Sequence, residues 1–181
     1  MATKIVTGKL RLSYAHLFTP ESDQNGGEPV YSVKLLIPKS DKATYQKLME
    51  AIREAREAFC AKNGANALPP KPAHTIHDGD QMKDDGSERA PEEKGCWVMN
   101  VKSKYKPVIV DINKQEILDP AEVYSGCYAR VCINAYGYSR SGKRGVSFRL
   151  MSVQKLADGE PLGGTMGSAN DFDDEYDDLM G

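Results

Sequence analysis

The sequence predicts a mainly β protein: a small antiparallel barrel with one amphipathic helix, long loops and an acidic C-terminal tail. Three observations lead there. Stretches of alternating apolar and polar residues recur at 4–18, 30–37, 96–106, 107–111, 126–138 and 145–156, a single segment carries helical periodicity, and no strand–helix–strand alternation marks a doubly wound sheet. With 181 residues, 40% of them hydrophobic and 8% aromatic, the chain can fill one core. The division expected is a folded domain over residues 1–158 and a flexible, disordered tail over 159–181.

In 4–18, Val6, Leu10, Leu12 and Tyr14 alternate with Thr7, Lys9, Arg11 and Ser13, which predicts a strand with the first set facing the core. Thr19 to Pro29 is rich in Gly, Pro, Asp and Asn and reads as a loop. The second strand follows, with Tyr31, Val33, Leu35 and Ile37 inward and Ser32 and Lys34 outward. Pro38 ends it, and Ser40 or Asp41 caps a helix over about 41–62 that stops at Asn63-Gly64. Tyr45, Leu48, Met49, Ile52, Ala55 and Phe59 form its apolar stripe. Residues 65–95 shift to Pro, Gly, Asp, Lys and Glu and read as a long, partly ordered loop. Strands resume at 96, and 139–145 joins the last two as a basic hairpin loop.

The formal charge of −2 hides an asymmetry. Residues 159–181 hold seven acids and no Lys or Arg, leaving 24 bases against 19 acids in residues 1–158, a net of +5. Residues 96–156 alone hold ten bases and four acids. No apolar run approaches the roughly 20 residues of a bilayer helix, and the first residues lack the apolar stretch of an export signal, so a soluble cytosolic protein is expected, with no membrane partner. Cys60, Cys96, Cys127 and Cys132 show no Cys-x-x-Cys pair and read as free thiols.

Strand parity locates the chemistry. On 126–138 the odd positions Cys127, Ala129, Val131, Ile133 and Ala135 face the core, leaving Tyr128, Arg130, Cys132, Asn134, Tyr136 and Tyr138 outward. On 145–156 Val146, Phe148 and Leu150 point in and Ser147 and Arg149 out; on 96–106 the outward row is Lys102, Lys104 and Lys106, while Trp97 and Tyr105 fall on the core parity. Lys9, Arg11 and Lys34 add cations to the outer side, and Arg140, Lys143 and Arg144 crowd the hairpin loop. Cations interleaved with rings that accept any base suit sequence-tolerant binding of a single nucleic-acid strand. The tail residues Asp171, Phe172, Asp173, Asp174, Glu175, Tyr176, Asp177 and Asp178 suit an interaction segment, able to contact a partner or occupy a basic aromatic groove.

Other constellations carry less. His74 and His77 with Asp78 and Asp80, and the acids Asp84 and Asp85, lie in a Pro/Gly-rich loop, a poor setting for ligands that must be held rigidly, so no metal site, cofactor or catalytic residue is assigned. Gly-rich nucleotide motifs and supported nucleophile triads are absent.

Several motifs together carry a resemblance: Asp78-Gly79-Asp80; Asn100-Val101-Lys102-Ser103-Lys104 with Pro107 to Asp111; Tyr124-Ser125-Gly126-Cys127-Tyr128; Asn134-Ala135-Tyr136-Gly137-Tyr138; Lys143 to Val146; and Gln154-Lys155-Leu156 running into Asp158 to Gly164. Over about residues 4–164 the chain resembles the OB-fold single-stranded-DNA (ssDNA)-binding proteins of tailed bacteriophages. The resemblance implies an OB-like barrel, sequence-independent ssDNA binding in phage replication, recombination or repair, no enzymatic activity, and residence in the host cytoplasm. It further implies an acidic tail that contacts phage or host replication and recombination proteins and competes with DNA. Such tails often end in an aromatic residue, whereas this one ends Leu179-Met180-Gly181, leaving Phe172 and Tyr176 as anchors. The alternative is a phage protein-interaction or virion-associated module without DNA binding. Barrel edges and tail also offer surfaces for a homodimer.

Overall fold

The computed structural model describes residues 3–22 and 26–162, so the acidic tail residues 171–178 lie outside the described residues. In chain order the elements are β1 (Thr3–Val6), β2 (Leu10–Glu21), β3 (Val30–Pro38), α1 (Lys42–Asn63), β4 (His77–Asp78), β5 (Cys96–Ser103), β6 (Val108–Val110), β7 (Tyr128–Arg140) and β8 (Lys143–Ala157). Five strands close a ring in the order β2-β3-β5-β8-β7, with β7 returning to β2. All ring contacts are antiparallel except β5 with β8, where Lys102 opposes Arg149 in parallel. Ring closure with this Greek-key order is the OB-type arrangement. Three short strands are appended: β1 on β7, β4 on β5 and β6 on β8.

The core fills the ring and the space beneath α1. Leu12, Leu35, Met99, Val101, Val131, Ile133, Val146 and Phe148 have no exposed surface, and Leu48, Ala51, Ile52 and Ala55 of α1 join the same cluster. Each large side chain buried this way contributes about 1.5–3 kcal/mol. The Asp41 carboxylate caps α1 by accepting from the Thr44 N–H at 3.1 Å. Gly137 lets the helix approach, since a Cβ there would lie 2.6 Å from that of Phe59.

The first expected strand is two. Along β7, Thr3 to Val6 pair with Ala135 to Cys132, but Leu10 and Arg11 pair with Ala129 and Tyr128, a register offset by one residue. The extra residue is accommodated at Gly8-Lys9, because the Gly8 N–H donates to Thr44 Oγ1 at 2.9 Å and the chain runs too close to Asp41 for a side chain at position 8. The bulge inverts the face. Thr7 is buried and Val6 is 43% exposed, reversing their expected places. A second irregularity lies between Ser13 and His16 in the pairing with β3, where Tyr14 takes a φ of 46°. Tyr14, expected in the core, is 61% exposed, while Ser13 is buried. The strand also runs on to Glu21, three residues into the expected loop.

Tyr105 is likewise not a core residue. β5 ends at Ser103, so the alternation stops before it, and Tyr105 is 80% exposed. The hairpin loop 139–145 contracts to the turn Ser141-Gly142, whose φ values of 53° and 79° are both positive, as a two-residue turn matched to strand twist requires. The segment 65–95 carries the short strand β4 and packs on the body of the fold. Leu68 and Ile76 enter the core, Arg56 donates to the carbonyls of Leu68 and Pro69, and Val146 N–H donates to Ala73 O at 2.9 Å. The four cysteines are free, and all but Cys96 are buried.

Candidate nucleic-acid interface

The register brings outward-facing polar residues from five strands into one line. Asn134 of β7 opposes Arg149 of β8, Arg149 opposes Lys102 of β5, Lys102 opposes Ser32 of β3, and Ser32 opposes His16 of β2. Directly paired residues share a face, so the line crosses the outside of the ring. Arg149 and Lys102 are both exposed and neither makes an ion pair with a described residue. The Arg149 guanidinium lies over the half-buried Tyr136 ring, 5.3 Å from its centroid. Tyr138 follows on the same face opposite Gly145, and Arg140 and Lys143 flank the turn beyond it. Next to the line Lys34 opposes Asn100, and on its other side it opposes the buried Ser13 of β2.

The remaining sequence-assigned cations divide by what holds them. Lys104 meets Glu28 across solvent at 3.4 Å, and Lys106 lies 5.4 Å from the Phe18 ring centroid. Lys9 and Arg11 both cover Tyr128, at 4.9 and 5.7 Å. Arg11 is committed to the fold: its guanidinium donates to the carbonyls of Gly126 and Glu160. Arg130 Nε donates to Gln154 Oε1 at 2.5 Å, and Arg144 Nη1 reaches the carbonyls of Asn66 and Ala67 at 3.4 and 3.3 Å. Lys34 is paired at 3.1 Å with Glu93, whose side chain is 2% exposed. The outer face therefore carries fewer free cations than strand parity counts, because parity reports direction and not partners.

The exit of β8 is fastened beside Tyr128. Lys155 pairs with Asp158 at 2.7 Å, the Tyr124 hydroxyl donates to Asp158 Oδ1 at 3.0 Å, and Leu162 N–H donates to Ser125 O. Hydrogen bonds from Lys155 and then from Tyr124 hold the Asp158 carboxyl below the usual carboxylate range.

The acids of the long loop serve structure. The Lys39 ammonium meets Asp78 at 2.5 Å and Asp80 at 2.7 Å and lies over Trp97, which stacks on Tyr45. The Lys39 hydrogen bond depresses both carboxyls. Burial lowers the pKa of His74, whose Nδ1 accepts from Ile76 N–H. Among the described residues no group of three His, Cys, Asp or Glu side chains is gathered to hold a metal ion, and no helix is long and apolar enough to cross a membrane.

A family described as the ssDNA-binding protein of Enterobacter phage Enc34 matches residues 3–180. The chain belongs to this family. A phage protein, p50 of Acyrthosiphon pisum secondary endosymbiont phage 1, is 30% identical over 178 residues, 94% of this chain and 93% of its own. Among solved structures, the Enc34 ssDNA-binding protein in complex with ssDNA is 30% identical, covering 88% of this chain and 89% of that one, with a TM-score of 0.76. The ssDNA-binding protein gp2.5 of bacteriophage T7 shares the fold at 17% identity, with a TM-score of 0.64 and coverage of 94% and 93%. Membership of the Enc34 family makes this a phage protein of a non-enzymatic class.

Sequence reasoning placed Tyr14 in the core, and the structure exposes it. Its signal was hidden because the bulged register, which turns the ring outward, leaves no trace in an alternating pattern.

Proposed function

We propose that the protein binds single-stranded DNA without sequence preference and serves phage DNA replication, recombination or repair. The observation that carries this reading is the line Asn134–Arg149–Lys102–Ser32 on the outside of an OB-type ring, where two cations have no carboxylate partner among the described residues and one of them, Arg149, lies over the Tyr136 ring. Cations of this kind release counterions from phosphates, and an aromatic face stacks on any base. In OB folds, oligonucleotides bind on the second and third strands of the barrel and in the loops after the first and fourth. Here those are β3 and β5, the segment between β2 and β3, and the Ser141-Gly142 turn with Arg140 and Lys143. The relative solved with ssDNA supports the same reading.

Lys102, Arg149, Tyr136, Tyr138, Arg140 and Lys143 form the centre of the proposed interface. Lys104 and Lys106 extend it along one side, and Lys9 with Tyr128 along the other. Arg11, Lys34, Arg130 and Arg144 act through the fold. The acidic segment 171–178 contacts partner proteins and competes for the basic face, in line with its charge.

A gel shift with labelled oligo-dT, the matching duplex and the matching RNA tests the reading. Retardation of the single strand, weakening steeply between 50 and 200 mM salt, is the expected result. No retardation at low salt refutes it and leaves the protein-interaction module standing.

A further inference from the structure

The geometry points to Tyr14 as a further base-stacking residue of the ssDNA interface, with Lys34 as its positioning residue; this rests on the function proposed above. Three observations converge on the side chain. Tyr14 takes a left-handed φ of 46°, a conformation disfavoured for any residue with a Cβ and worst for bulky ones. Such strain persists where the surroundings impose it, and it clusters at ligand sites. The strain is not repaid by burial, because Tyr14 is 61% exposed. The ring is nonetheless held, with the Lys34 Nζ 4.9 Å from its centroid.

Lys34 is itself fixed from behind. Its ammonium pairs at 3.1 Å with the Glu93 carboxylate, which also accepts from Ala90 N–H at 3.0 Å and faces Arg89 at 3.8 Å. A lysine already matched by a buried carboxylate adds little to phosphate attraction, but as a fixed cation against a ring it orients that ring. The long loop, which supplies Glu93, thereby sets the pose of Tyr14.

Position completes the argument. Ser13 pairs with Lys34 and His16 with Ser32, so Tyr14 sits on β2 beside the outward residues Lys34 and Ser32 of β3. Tyr136 lies on β7, which meets β2 directly at the seam, Leu10 with Ala129 and Arg11 with Tyr128, and is reached the other way around the ring through β3, β5 and β8. On that longer path Lys102 of β5 and Arg149 of β8 stand between Tyr14 and Tyr136. A single strand crossing the ring meets ring, cation, cation and ring in turn.

The test measures oligo-dT affinity and thermal melting of the full chain for wild type, Y14F, Y14G and K34M. Y14F is expected to bind as wild type, and Y14G to lose roughly 5- to 150-fold, the worth of stacking one base. Y14G should melt at or above the wild-type temperature, since glycine accepts the left-handed backbone. K34M should weaken binding without changing the salt slope, whereas loss of a phosphate contact lowers that slope by about one. An oligonucleotide carrying 5-iodouracil should photocrosslink to the peptide containing Tyr14. Undiminished binding by Y14G, loss of binding together with a lower melting temperature, or a reduced slope in K34M each overturns the inference. Failure of the wild-type chain to bind oligo-dT overturns the proposed function itself, a distinct result.

Discussion

Whether a cation on this surface can serve a phosphate depends on what already holds it. Lys102 is exposed with no ion pair to a described residue, while Arg144 is tied to two loop carbonyls. Lys102→Ala is therefore expected to lower the slope of log affinity against log salt by about one, while Arg144→Ala leaves the slope and reduces stability instead; a salt titration and a melting curve separate the two. Tyr136→Ala should cost ssDNA binding about 1–3 kcal/mol with little effect on folding, measured by anisotropy with oligo-dT. Directions such as that of Tyr136 were legible from a period of two in a strand without bulges. Partners such as Glu93 for Lys34 were not, because the two residues are 59 positions apart and nothing local couples them.

At the scale of elements, alternation located every ring strand, and the spacing of Leu48, Ile52 and Ala55 located the helix, since both patterns reflect burial on one side. It failed where backbone contacts decide. The bulge at Gly8 answers to Thr44 on α1, and the long loop is ordered by main-chain and charge contacts that have no period. Gly79 shows how tight that loop is, because a Cβ there would come within 2.0 Å of the Glu93 carbonyl oxygen. Gly79→Ala should consequently displace the backbone around Glu93 and lower the melting temperature markedly, whereas Gly142→Ala, with nothing within 4 Å, should cost only the strain of its positive φ of 79°. The loop also has a pH limit. Asp78 and Asp80 have carboxyls depressed by Lys39, so their contribution is complete above the ordinary carboxylate range and is lost as pH falls through the lowered values. Amide protection in residues 77–95, taken relative to the free-peptide rate at each pH, should be high at neutral pH and fall below about pH 4, with Lys39→Met removing the transition.

For the molecule as a whole, the formal charge of −2 conceals a folded part that is net positive and a terminus that is net negative. Removing residues 165–181 should tighten oligo-dT binding at low salt, with the gain vanishing as salt rises. Unchanged binding would show that the terminus does not compete. The ring itself has a consequence for how the protein is made. Its seam is sealed where Thr7 meets Val131, a hydrogen bond between residues 124 apart, so β1 and the outer edge of β2 have no partner until β7 has been synthesised. Folding must then be late and comparatively slow, limited by closure of a very long loop. During that interval β2 and β3 form an open hairpin that a host chaperone, or the same hairpin of another nascent copy, is free to engage.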